Sequence, residues 1–212
     1  MDELVQVSEV CVNFGKNVVL NNVSAFFLRG KAYGIIGNNG SGKTVLMKCI
    51  SGFIIPDKGL ISVNGRIVGK DIDFPPNTGI LIETPGFLPG LSGYGNLRLL
   101  AGIRNLIDDK EIRDTMKLVG LDPDNKNRVA NYSLGMRQRL GIAQAIMENP
   151  DLLILDEPFN GLDKNGIVEM RNLLKKLCEG GKTIIMSSHN PYDIETICDK
   201  VFEVEGGKLF ER

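Results

Sequence analysis

Apolar residues follow two different rhythms along this chain. Near its start Val5, Val7, Val10 and Val12 mark an extended stretch. Ala25-Phe26-Phe27-Leu28 and Ala32-Tyr33-Gly34-Ile35-Ile36 predict two further strands, joined through Arg29-Gly30-Lys31. Gly59 to Val63 and Ile67-Val68 flank Asn64-Gly65, a pair suited to a two-residue hairpin turn. These early strands predict an antiparallel sheet. From Thr78 onward the rhythm changes. Leu152 to Leu155, Thr183 to Met186 and Val201 to Val204 are short, unbroken apolar runs of the buried-strand kind. Between the first two, Ile167, Met170, Leu173, Leu174 and Leu177 share one helical face, and Gly180-Gly181 ends that helix. Strand, helix and strand in this order predict parallel pairing through right-handed crossovers. The span from Gly93 to Met147 reads as helical, with Asp108 as a cap, Ile112, Met116 and Val119 facing a core, and Gly120 as the stop.

Composition acts mainly by exclusion. Apolar residues make up 42% and charged residues 24%, ordinary globular usage. Lys and Arg number 25 against 26 Asp and Glu, so no basic excess equips the chain to grip nucleic acid by charge. No apolar run approaches the roughly 18 residues that span a bilayer, and Met1-Asp2-Glu3-Leu4 lacks the basic, apolar start of a secretion leader. Cys11, Cys49, Cys178 and Cys198 form no close pair and His189 is the lone histidine, so the cysteines read as reduced, small apolar residues. The 25 glycines exceed average usage and point to tight turns or close backbone approach to a ligand.

Gly37-Asn38-Asn39-Gly40-Ser41-Gly42-Lys43-Thr44 fits GxxxxGK[ST], the Walker A phosphate loop. Its glycines let consecutive N–H groups turn inward. Lys43 would reach the β- and γ-phosphates of a bound nucleotide, and the Thr44 hydroxyl would ligate Mg²⁺. The loop follows one predicted strand and opens a helix over Thr44 to Ser51, where a phosphate is favoured. Downstream, Leu152-Leu153-Ile154-Leu155-Asp156-Glu157 is an apolar strand ending in two carboxylates. Asp156 would hold the metal and Glu157 would polarise an attacking water. His189 follows the run Thr183 to Met186, which would lie parallel to that strand and end at the same edge of the sheet.

The run from Tyr132 to Asp163 resembles the ATP-binding cassette, the nucleotide-binding domain of ABC transporters. That family carries an LSGGQ-like signature about two dozen residues before Walker B; in Tyr132-Ser133-Leu134-Gly135-Met136, Ser133 precedes Asp156 by 23. The resemblance extends from Phe14-Gly15, where Phe14 matches the aromatic that stacks on adenine, to Gly206-Gly207. Asn160-Gly161-Leu162-Asp163 is similar to the D-loop, and His189 to the switch histidine at the γ-phosphate. Ile82-Glu83-Thr84-Pro85-Gly86-Phe87 and Gln138-Arg139-Leu140-Gly141-Ile142-Ala143 resemble bacitracin and lantibiotic resistance exporters most.

The resemblance implies one α/β domain over 1–212: a P-loop NTPase (RecA-like) core with a parallel sheet, an antiparallel β subdomain and an inserted helical subdomain over about 84–148. It implies an ATPase using Mg²⁺ and driving a separately encoded membrane permease from the cytoplasmic face, with no nucleic-acid partner. It further implies an ATP-dependent, head-to-tail homodimer, or a heterodimer with a paralogous ATPase, in which Ser133 and Gly135 of one copy meet the nucleotide of the other. Glu157, His189 and Lys43 would be catalytic; Thr44, Glu83 and Asp156 would surround the metal. Three positions depart from the family pattern: Leu134 replaces a glycine, Met136 a glutamine, and Glu83 the Q-loop glutamine. Glu83 to Leu91, with Phe87, Leu88, Pro89 and Leu91 clustered apolar, would form the permease-facing surface, and residue type alone fits a buried loop equally well. The alternative is a soluble ABC ATPase that remodels a ribosome, Fe–S machinery or DNA; translation factors of that type usually carry two cassettes and DNA-repair members a long coiled coil between Walker A and the signature, and neither pattern fits this sequence. A small-molecule kinase on a P-loop fold leaves the signature and His189 unexplained.

Overall fold

The jump from Val7 to Val10 in an otherwise alternating series has a structural cause. In the computed structural model, which describes residues 2–83 and 86–212, β1 (Glu3–Phe14) pairs antiparallel with β2 (Asn17–Leu28), and the register shifts between Val7 and Val10. Glu9 takes a left-handed φ of 51°, and the bulge returns Val10 to the buried face. Gly59 fits against it: a Cβ there would lie 2.4 Å from the carbonyl oxygens of both Ser8 and Glu9. β4 (Lys58–Val63) is the other antiparallel neighbour of β1, and β5 (Arg66–Ile67) follows it through Asn64 and Gly65, at φ 54° and 74°. Two consecutive positive φ values are what the Asn-Gly pair predicts.

One expectation needs correcting. β3 (Ala32–Ile36) does not pair with β2; it enters a second, six-stranded sheet. Four of its five residues are buried, so the strand needs cover on both faces, which a half-exposed antiparallel sheet does not provide. The other members are β6 (Thr78–Leu81), β7 (Leu152–Leu155), β8 (Thr183–Ser187), β9 (Lys200–Glu205) and β10 (Lys208–Glu211). The order is β10-β9-β3-β8-β7-β6, all parallel except the antiparallel edge strand β10. β10 has no counterpart in the sequence reading.

Alternation along β7 sends side chains into two cores. Leu152 and Ile154 join the smaller sheet and α1 (Lys43–Ile50), packing with Val7, Leu46 and Met47. Leu153 and Leu155 face the other way, toward α4 (Leu134–Ile146) and α5 (Lys164–Glu179), packing with Leu140, Met170 and Leu174. Between β6 and β7 the chain also builds α2 (Gly93–Arg104) and α3 (Asp109–Leu118). Asp108 caps α3 in a reciprocal box with Glu111, and Gly120 follows at φ 74°. α6 (Pro191–Ile197), absent from the sequence reading, starts from an Asn190 cap with Pro191 in its first turn. Among the described residues no helix is long and apolar enough to cross a membrane.

Candidate functional site

β8 lies between β3 and β7, and all three run parallel. The residues after their C-terminal ends therefore meet at one edge: Gly37 after β3, His189 after β8, Asp156 and Glu157 after β7. In the first of these segments Gly37, Gly40 and Gly42 take φ of 142°, 76° and 113°. A Cβ at Gly37 would lie 2.4 Å from the Val204 carbonyl oxygen, so only glycine fits. Lys43 is 7% exposed and bridges the loop, its Nζ donating to the carbonyls of Gly37 at 2.7 Å and Asn38 at 3.1 Å. Ser41 Oγ is buried with no hydrogen-bond partner among the described residues. Gly42 caps α1 without a side-chain bond, and no acid occupies the first turn, leaving its N-terminal dipole free for an anion. A cleft of about 290 Å³ opens here, lined by Asn39 to Val45 with Val19, Asp156, Glu157 and His189.

The two carboxylates have different surroundings. Asp156 Oδ2 accepts from Thr44 Oγ1 at 2.6 Å, and Oδ1 accepts from Ser187 Oγ at 2.6 Å. Ser187 Oγ in turn accepts from the Glu157 N–H at 2.9 Å. Glu157 sits at a left-handed φ of 48°, and its side chain is 17% exposed. The His189 backbone N–H donates to Glu157 Oε2 at 3.3 Å, and the ring Nε2 lies 3.2 Å from Oε1. Burial raises the Glu157 carboxyl above the ordinary glutamate value, an effect that His189 opposes. Gln138 of α4 donates to the carbonyls of Glu157 at 3.1 Å and Pro158 at 3.0 Å. The sequence reading meets Ser187 and Gln138 only as members of motifs and gives neither a role; their signals are the position just after the apolar Thr183–Met186 run and a polar position on an otherwise apolar helix face.

The donor set suits a phosphate-bound divalent cation. Thr44 and Asp156 place two hard oxygens together, while no cluster of three or more His, Cys, Asp or Glu exists among the described residues. Hard-oxygen donors of this kind suit Mg²⁺, which is commonly bound through one or two protein oxygens together with substrate phosphates and waters. The orphaned Ser41 hydroxyl and the uncapped helix fit the phosphates themselves.

Other expected residues lie apart. Glu83, at a left-handed φ of 58° beyond β6, pairs with Lys48 Nζ at 2.6 Å rather than with Thr44 or Asp156. Phe14 is 52% exposed at the end of β1 and does not line the 290 Å³ cleft. Its neighbours Lys16 to Val19 share an adjoining cleft of about 660 Å³ with Asn38 to Ser41. Ser133 caps α4 by accepting from the Met136 N–H at 3.1 Å. Gly135 packs on the segment 160–163, where a Cβ would lie 2.9 Å from the Gly161 carbonyl oxygen. Neither Ser133 nor Gly135 lines the cleft of its own chain.

This combination of phosphate loop, paired strand-end carboxylates and a capped helix in the sequence between them has close parallels. The ABC transporter family profile matches residues 20–160. An uncharacterized ABC transporter ATP-binding protein of Bacillus subtilis (strain 168), YybJ, is 41% identical over 97% of this chain and 94% of its own. The bacitracin transport ATP-binding protein BcrA of Enterococcus faecalis is 40% identical over 100% of this chain and 69% of its own. The lantibiotic transport ATP-binding protein SrtF of Streptococcus pyogenes is 35% identical over 97% and 89%. A solved ATP binding subunit of an ABC transporter superposes with a TM-score of 0.88 at 27% identity, covering 99% of this chain and 89% of that one. The chain belongs to the ABC transporter family. Within it, this is an ATP-binding subunit, an ATPase.

Proposed function

We propose that this ATPase powers a separately encoded membrane permease that exports a peptide antibiotic or a similar compound. The likeness to relatives named for bacitracin and lantibiotic transport supports the cargo class. Support for a permease comes from a third cavity, of about 500 Å³, between β6, α2 and α4. Ile82, Phe87, Leu88, Leu99 and Ile103 are among its lining. It overlaps the segment expected to face the permease, Glu83 to Leu91, of which Thr84 and Pro85 lie outside the described residues.

The observation that carries the mechanism is the Glu157–His189 contact beside the Thr44–Asp156 pair. Glu157 orients and deprotonates the attacking water, and its buried, raised carboxyl suits a base. His189 and Lys43 hold the γ-phosphate, and Phe14 offers its exposed face to the adenine. Thr44 and Asp156 would hold Mg²⁺, which would neutralise phosphate charge; Glu83, paired with Lys48, would have to leave that partner to join them. Ser133 and Gly135 act on the nucleotide of a second copy in a head-to-tail dimer, in keeping with their place outside their own cleft. The assembly sits at the inner face of the membrane through the permease.

Co-expression with a candidate permease in a sensitive host tests the transport reading. Wild type should raise tolerance to a peptide antibiotic, and Lys43→Ala should not. Equal tolerance with both would remove the ATPase from transport.

A further inference from the structure

His189 is the only histidine in the chain, and its side chain is 53% exposed, so packing alone does not hold the ring in place. Its direction follows from its backbone, and the residues on either side are tied to a buried cluster. Ser188 Oγ donates to Asp193 Oδ2 at 2.8 Å and accepts from the Asn190 N–H at 3.1 Å. Asp193 is 2% exposed, and its other oxygen accepts from Arg171 Nη2, which projects from α5. The same guanidinium lies 4.7 Å above the Tyr192 ring. Arg171 Nε is buried with no hydrogen-bond partner among the described residues, and the cation grips the turn through a carboxylate and an aromatic face.

Apolar packing would fasten α6 to α5 without burying charge, and a buried ion pair is a poor source of stability. What the pair supplies is direction. A guanidinium accepts a carboxylate only in its plane, and that carboxylate fixes the Ser188 hydroxyl one residue before His189.

We propose that Arg171 is a positioning residue for ATP hydrolysis: through Asp193 and Ser188 it sets where His189 presents its imidazole. The proposal rests on the reading that His189 meets the γ-phosphate. Near that phosphate a small displacement of the ring weakens contacts formed in the transition state while the nucleotide still binds through the phosphate loop.

The lone histidine makes the test direct, because the folded protein gives one imidazole signal set in NMR. The double variant Arg171→Gln/Asp193→Asn replaces the ion pair by an amide pair and avoids stranding a buried charge. It should fold by circular dichroism and keep the KM for ATP within about twofold. Its kcat should fall about tenfold, with the imidazole signals moved from their wild-type positions. Arg171→Lys, which keeps the charge but loses the planar face, should move the same signals and lower kcat less; it decides the matter where the double variant does not fold. Unmoved imidazole signals in a folded variant, or a wild-type kcat, would overturn the proposal and leave the cluster a fastening between two helices. His189→Ala separates the two readings. Wild-type hydrolysis in that variant would remove His189 from the reaction, while the imidazole shifts of the Arg171 variants, which keep His189, would still report whether Arg171 holds the turn.

Discussion

Thr44 and Asp156 stand 112 residues apart in sequence and meet at 2.6 Å, hydroxyl to carboxylate, where the phosphate loop faces the end of β7. Asp156 is steadied from its other side by Ser187, also at 2.6 Å. The carboxylate is thus aimed by two hydroxyls from two different elements. Orienting partners of this kind, one step removed from a metal, are typically worth about 10–100-fold in metal affinity or activity. Ser187→Ala should therefore weaken the Mg²⁺ dependence of ATP binding by about tenfold with the fold intact. Titrating a fluorescent ATP analogue at several Mg²⁺ concentrations measures it; an unchanged dependence would mean that Ser187 only bonds the backbone of Glu157.

The Lys48–Glu83 pair gives the same titration a second use. Glu83 is 64% exposed at its side chain, so the pair is screened and worth no more than about 1 kcal/mol. Mg²⁺ can compete with it. ATP binding should depend more steeply on Mg²⁺ in wild type than in Glu83→Gln, because the carboxylate repels free ATP and attracts the ion. Lys48→Met should be steeper still. Identical curves for all three would place Glu83 outside the metal shell and on the permease-facing segment.

Gly79 marks where β6 is pressed onto α4. A Cβ there would lie 1.8 Å from the Ala145 carbonyl oxygen, a backbone atom that cannot swing aside. Gly79→Ala should destabilise the protein by about 3 kcal/mol, the upper range for overpacking a core. Urea unfolding followed by circular dichroism checks this, and a midpoint within error of wild type would contradict it.

Burial pushes the thiols of Cys49 and Cys198 up to about 12. A raised thiol pKa favours the protonated form in the folded state, and the thiolate is the reactive species. At pH 8 native protein should therefore leave both unlabelled by iodoacetamide, and urea should expose both. Mass spectrometry of the digested protein reads the sites. Rapid native labelling of either one would contradict the packing around them.

The candidate site is legible in sequence wherever its chemistry is contiguous. Gly37 to Thr44 and Leu152 to Glu157 each carry their own local reason, a glycine-rich turn or an apolar strand with charges at its end. Partners that work across the sheet are not legible in this way. Ser187 reaches Asp156 over 31 residues and Gln138 reaches the Glu157 carbonyl over 19, so both depend on strand order and helix placement. Strand order is also where the reading fails for β3. Its neighbours β8 and β9 lie more than 150 residues on, and the nearby Arg29-Gly30-Lys31 looks like a hairpin turn. The bulge at Glu9 is visible in the spacing of Val7 and Val10, but Gly59 explains it only once β4 is paired.

The account turns on Glu157 as the base within an ATP-closed dimer, and Glu157→Gln tests both parts at once. The amide keeps the shape of the side chain and loses its proton affinity. Size-exclusion chromatography with light scattering should show this variant as a dimer with MgATP and a monomer without nucleotide. Its hydrolysis should fall by at least about 10²-fold. Hydrolysis at the wild-type rate, or a monomer in saturating MgATP, would contradict the account.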